Sequence, residues 1–182
     1  MEESEARQVF EELYRGSYRR LLAYALQRTA NSEDAQEVVA ETFLVAWRRL
    51  DDLIDAENPL AWLYGVAHRM LANQRRRQRR QQKLNEKLAG HTNDILPETA
   101  HRDVEGRRLL AEVIEIIDEL PPRYQEVLKL TAYQGLSPAE IASVLEMPPV
   151  AVRTLLYRAR IRLRRLLDER YPGWGLVIEE PE

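Results

Sequence analysis

A chain of 182 residues, 45% apolar and 31% charged, has room for one ordinary domain or two compact ones of soluble globular type. Cysteine is absent, which excludes disulfides and thiolate-bound zinc, and no apolar run reaches the roughly 20 residues of a membrane span. The net charge of −3 by itself argues against nucleic acid, but it is unevenly spread: residues 1–60 carry 7 basic against 13 acidic side chains, and residues 61–104 carry 9 against 4.

Leucine, alanine, arginine and glutamate are abundant while there are only 7 glycines, a mix that favours helices over sheets. The acidic start Met1-Glu2-Glu3-Ser4-Glu5 lacks the basic opening of a signal peptide, so a reduced cytoplasm is the expected location, with no membrane contact. From about Glu5 to Arg28, Phe10, Leu13, Tyr14, Leu21, Leu22 and Ala25 recur at helical spacing. Asn31 or Ser32 then offers an N-cap, with Glu33 and Asp34 in a first turn where the helix dipole favours negative charge. A second amphipathic run carries Val38, Val39, Thr42, Phe43, Ala46, Trp47 and Leu50, and Asp51–Asn58 is expected to be a loop. Asn58-Pro59 opens a third helix with Asn as cap and Pro at its first position. Its apolar stripe is Leu60, Leu63, Tyr64, Ala67, Met70 and Leu71, before it turns wholly polar at Asn73–Arg80. Three helices sharing one apolar side make a small bundle.

Periodicity is lost from about 86 to 104, where Gly90, Thr92, Asn93, Asp94 and Pro97 gather, and a flexible linker is expected there. Helical spacing resumes over about Val104–Leu120. Pro121-Pro122 interrupts it, and a further helix runs to about Tyr133 with Gly135 ending it. Ser137-Pro138-Ala139-Glu140 is a capping box with Pro at the first helical position. Its short helix ends near Leu145, a turn covers Glu146–Pro148, and a long helix runs from Pro149 to about Arg170. The tail 171–182 carries Trp174, Leu176, Val177 and Ile178, more apolar character than a disordered end needs.

Along the last helix Val152, Leu156, Ala159, Leu163 and Leu166 step by four and three, which predicts one buried stripe. Arg153, Thr154, Tyr157, Arg158, Arg160 and Arg164 take the remaining surface, and residues 150–165 hold six arginines and no acid. A short helix braced behind a long, arginine-bearing one is a helix-turn-helix, in which arginine can read guanine edges and grip phosphates. The bland alternative is a solvated arginine-rich helix in an ordinary bundle.

The residues Leu120-Pro-Pro-Arg-Tyr-Gln-Glu-Val-Leu-Lys-Leu, Gly135-Leu-Ser-Pro-Ala-Glu-Ile-Ala and Val152-Arg-Thr-Leu-Leu-Tyr-Arg-Ala-Arg resemble region 4 of the extracytoplasmic-function (ECF) sigma factors. That resemblance implies binding to the promoter −35 element and to the β flap of RNA polymerase, with Arg153, Thr154, Tyr157, Arg158 and Arg160 facing DNA. The helix from Asp34 to Leu50, Asp-Ala-Gln-Glu-Val-Val-Ala-Glu-Thr-Phe-Leu-Val-Ala-Trp-Arg-Arg-Leu, is similar to region 2 of the same family. In the family this helix docks on the β′ clamp coiled coil. Glu37 and Glu41 fall one turn apart, away from Phe43 and Trp47, and suit a basic partner surface; an exposed acidic helix without a partner is the alternative. Pro59-Leu-Ala-Trp-Leu-Tyr-Gly-Val-Ala-His-Arg-Met-Leu-Ala-Asn resembles the promoter-melting and −10 helix, with Asp51–Asn58 at the place of a base-capturing loop. The resemblance then sets His68, Arg69, Asn73 and Arg76 near unpaired −10 bases or their phosphates, where a cationic track and polar edge contacts are needed. Trp62 and Tyr64 fit the apolar stripe better than a stacking role.

Nothing suggests catalysis. Of the three histidines, His91 and His101 fall in the linker, and there is neither a glycine-rich phosphate loop nor a nucleophile–base arrangement. The expectation is an all-α, non-enzymatic sigma factor without cofactor or metal. Its partners would be core RNA polymerase, promoter DNA and an anti-sigma factor of the kind that often holds this family. Its parts are a three-helix-type domain at 5–85, a linker at 86–104, a helix-turn-helix domain at 105–170 and a tail at 171–182. Two alternatives are a conventional helix-turn-helix regulator with a sensor or dimerisation bundle, and an interaction adaptor that merely displays charge.

Overall fold

The computed structural model describes residues 3–85 and 113–172, all helix or connecting turn with no strand among them. The linker expected at 86–104, the first part of the helix expected from Val104, and the tail residues Trp174, Leu176, Val177 and Ile178 lie outside the described residues. The chain forms two compact units, one towards each end of the sequence.

The N-terminal unit consists of α1 (Glu3–Leu26), α2 (Ser32–Arg48), α3 (Leu50–Ile54) and α4 (Pro59–Asn85). Local polar groups fix the helix starts. The Asn31 side chain accepts the Asp34 N–H at 2.8 Å, and Asn58 Oδ1 accepts the N–H groups of Leu60 and Ala61 at 3.0 and 3.1 Å. Each cap satisfies donors that have no partner inside the helix, typically worth about 1 kcal/mol. α1, α2 and α4 pack pairwise around Leu21, Tyr24, Ala25, Val38, Val39, Phe43, Ala46, Leu63, Tyr64, Ala67 and Leu71, all buried. The buried Thr42 hydroxyl donates to the Val38 carbonyl at 2.7 Å, so no polar group is orphaned there.

One expectation fails in this unit. Half of the segment expected as a loop, Asp51–Asn58, is the helical turn α3. Leu50 and Leu53, three apart, are both buried, and α3 packs on α2 and α4. Arg49 and Asp52 close its outer side with an ion pair at 2.7 Å.

The C-terminal unit starts, among the described residues, with helical residues 113–118, here α5. α6 (Pro122–Gln134), α7 (Pro138–Leu145) and α8 (Pro149–Arg170) follow. Gly135 takes φ 66° and its N–H returns to the Leu130 and Thr131 carbonyls, a left-handed helix end that glycine reaches without strain. The capping box forms in full: Glu140 N–H donates to Ser137 Oγ at 3.3 Å, and Ser137 N–H donates to Glu140 Oε2 at 2.6 Å. At the turn into α8, Glu146 takes φ 53°, the one positive-φ non-glycine residue among those described. That turn lets the Met147 N–H reach the Ala142 carbonyl at 2.9 Å and swings the chain into α8.

α8 packs on α6 through Val152, Leu156, Ala159 and Leu167, buried with Ile116, Ile117, Val127 and Leu130. The expected stripe named Leu163 and Leu166; both are half-buried, and Leu167 is the buried residue of that last turn. Two ion pairs brace the end of α5 and the turn after it: Lys129–Asp118 at 2.6 Å and Arg170–Glu119 at 2.7 Å. Among the described residues no helix is long and apolar enough to cross a membrane.

Candidate nucleic-acid interface

Because α8 buries Val152, Leu156 and Ala159, its opposite side is fixed by geometry. Arg153, Thr154, Tyr157 and Arg158 are exposed there, four of the five residues assigned to duplex contact. Arg160 is half-buried, because it falls on the flank between the exposed side and the core stripe. The Thr154 hydroxyl donates to the Val150 carbonyl at 2.9 Å, so its proton is committed within the helix. Further along, Arg164 lies 3.8 Å from Asp168 and Arg165 2.9 Å from Glu169. Acid therefore partners the distal arginines, whereas residues 150–163 contain none. A braced helix with its cationic face at the N-terminal end has the geometry that enters a major groove.

α4 changes character along its length. Its first half is core, and from Arg75 to Arg80 every side chain is exposed, five of the six being arginine. Arg69, Asn73 and Arg76, assigned to the opened strand, are exposed on it. His68 differs: it is half-buried, with Nδ1 3.3 Å from the hydroxyl of fully buried Tyr24. The Arg28 guanidinium sits 3.7 Å from the centre of the Tyr24 ring and donates to the Tyr24 carbonyl at 3.0 Å, a cation–π arrangement. His68 therefore ties α4 to α1, just before the basic stretch begins. Trp62 is half-buried with Arg49 5.9 Å from its ring, and Tyr64 is fully buried. Burial raises the Tyr64 phenol above its ordinary 10.0 despite Arg20 and Arg28 nearby, which favour the ionised form.

Glu37 and Glu41 are both exposed on α2. They line a groove of about 250 Å³ between α2 and α4 whose other walls include Asp34, Asn73 and Arg77. The acids assigned to polymerase and the asparagine assigned to the −10 strand thus border one groove, which spacing alone does not reveal. Trp47, expected on the side away from these acids, is not fully packed away there. It meets Phe10 edge-on at 5.1 Å yet stays 42% exposed, and Leu44 beside it is 49% exposed. With Ala40 they form an apolar strip next to Glu37 and Glu41. Leu44 falls outside the apolar run that spacing picks out on α2, and its position out of step with Val39, Phe43 and Ala46 was the available signal that a leucine is left on the surface there. Among the described residues no group of three or more His, Asp or Glu could hold a metal ion.

Comparison with known proteins gives this arrangement a family. Residues 13–81 match the family described as Sigma-70 region 2, and residues 110–163 match Sigma-70, region 4. The RNA polymerase sigma factor YlaC of Bacillus subtilis is 32% identical over 163 residues, 87% of this chain and 92% of its own. The ECF RNA polymerase sigma factor SigL of Mycobacterium tuberculosis is 30% identical over 82% of this chain and 83% of its own. In fold, the chain is similar to the sigma factor RpoE of Bartonella quintana, solved with the anti-sigma factor NepR. That comparison has a TM-score of 0.68, 20% identity, and coverage of 88% of this chain and 98% of that one. The chain belongs to the ECF family of bacterial RNA polymerase sigma factors.

Proposed function

We propose that this chain brings core RNA polymerase to its promoters and helps to open them, acting in the cytoplasm and making no bond itself. α8 lies in the major groove of the −35 element, with Arg153, Thr154, Tyr157 and Arg158 at base edges and Arg160 towards a phosphate. Its unit also meets the β flap. The exposed part of α4, with Arg69, Asn73 and Arg76, holds the opened −10 strand, and His68 contributes by fixing that helix to α1. α2 docks on the β′ clamp through Glu37 and Glu41, with Leu44 and Trp47 beside them. An inhibitory anti-sigma protein completes the set of partners that the family resemblance implies.

The observation that carries this assignment is the cationic, acid-free face at the start of α8, held rigid by its buried stripe on α6. Local field, rather than the net charge of −3, governs attraction to DNA. The test is transcription in vitro from a genomic library with purified core polymerase, with and without the protein. Start sites that appear only when it is added, sharing an upstream element, support the proposal; an identical transcript set in both reactions defeats it.

A further inference from the structure

The exposed apolar side chains of α8 fall on one line. Val150, Tyr157 and Ile161 are 69%, 50% and 51% exposed, three of the seven large exposed hydrophobics among the described residues. At 3.6 residues per turn, Val150, Thr154, Tyr157 and Ile161 lie within about 60° of one another around the helix axis. This side is opposite Val152, Leu156 and Ala159, so it is the side that α8 turns outward. Single exposed hydrophobics are ordinary, but here they sit between Arg153 and Arg158 on a helix otherwise rich in charge. Thr154 adds to the line rather than interrupting it. Its hydroxyl proton is bonded to the Val150 carbonyl, which leaves its methyl group as the apolar feature of that side chain.

Granted that α8 enters the major groove as proposed above, this line faces base edges, and its N-terminal residues go deepest. Base edges in the groove are donors and acceptors with one exception, the C5-methyl of thymine. An apolar side chain against a donor or acceptor edge leaves that group unpaired, whereas against a thymine methyl it removes apolar surface from water on both sides. We propose that Val150, with the Thr154 methyl and the Tyr157 ring, selects thymine in the upstream element by contact with its methyl group. Val150 is the residue that sets this preference. It is the second residue of α8 and the most exposed of the three hydrophobics. Arg153 and Arg158 flank the line and supply the polar part of recognition. Ile161, about three turns beyond Val150, lies where the helix leaves the bases.

The test uses the full chain assembled with core polymerase and the upstream element that it selects from randomised duplexes. Each thymine of that element is replaced by uracil, which removes one methyl and alters no hydrogen-bonding group. One or two positions should bind about fourfold more weakly, the effect of one methyl-sized group at ~0.8 kcal/mol. Val150→Ala should lose this preference for thymine over uracil while keeping the arginine-dependent sequence preference. The position is exposed and alanine is the stronger helix former, so the variant keeps its fold, checked by circular dichroism. If a selected element is bound equally with thymine or uracil throughout, the methyl-reading proposal is wrong and groove entry by α8 stands. If the preference survives Val150→Ala undiminished, Val150 does not set it. If no element is selected at all, groove entry by α8 fails and this proposal fails with it.

Discussion

Reversing Glu37 and Glu41 together to lysine separates the docking role of α2 from its structural role. Both side chains are exposed, and both lie beyond the first turn, where Glu33 and Asp34 are the acids facing the helix dipole. Lysine and glutamate have similar helix propensity, so the backbone cost is small. The new charges would share the α2–α4 groove with Arg77. At a separation near 8 Å in water-like surroundings each such repulsion is about 0.5 kcal/mol, less after screening by salt. Folding should therefore weaken by about 1 kcal/mol in total. Against a basic partner surface, the same two charges turn attraction into like-charge contact, which costs several kcal/mol. A loss of ~3 kcal/mol is more than a hundredfold in affinity. The assay is competition with the parent chain for limiting core polymerase, followed by single-round transcription, with circular dichroism melts as the folding control. Leu44→Ala, half-exposed beside the acids, should weaken core binding without moving the melt. A double mutant that is folded, competes for core polymerase as well as the parent and initiates normally would refute the placement of the docking surface on this face.

Arg153→Ala and Arg158→Ala should each weaken duplex binding by about 1–3 kcal/mol, by amounts that differ between promoters, as expected for contacts to base edges. Arg164→Ala, already 3.8 Å from Asp168, should affect all promoters equally or not at all; equal small losses for all three arginines on a panel of duplexes would show that α8 does not read bases. Glu146→Gly should raise stability by about 1 kcal/mol, because the left-handed φ of 53° costs a side-chain-bearing residue roughly 1–2 kcal/mol, and a lower denaturant midpoint would mean that contacts of the Glu146 side chain outweigh the strain. Burial raises the phenols of Tyr64 and Tyr133 above their ordinary 10.0, with Asp118 adding to the effect at Tyr133. Their stabilising contribution is therefore complete below about pH 10 and is lost as pH rises through the folded-state values. Tyr64→Phe should make alkaline melts less dependent on pH, and an unchanged dependence would count against this origin.

Helix limits were legible in the residues themselves because the groups that set them lie within one turn. Asn31, Asn58-Pro59, Gly135 and the Ser137–Glu140 box each satisfy or replace backbone groups three or four residues away, and no distant part of the chain is needed. The same locality placed Arg153, Thr154, Tyr157 and Arg158 outside, since the spacing of Val152, Leu156 and Ala159 defines both faces of α8. Spacing states which face is apolar but not what meets it. α3, five residues long, is too short to persist alone; it exists because Leu50 and Leu53 find cover on α2 and α4, so no local pattern distinguished it from a loop. His68 is bound to Tyr24 across 44 residues of sequence, and the groove that joins Glu37 and Glu41 to Asn73 and Arg77 exists only once α2 lies on α4. Leu167 replaces Leu166 in the core, and Trp47 stays partly exposed, for the same reason. Burial is set by the neighbouring helix and where it ends, and that is a property of the packed unit.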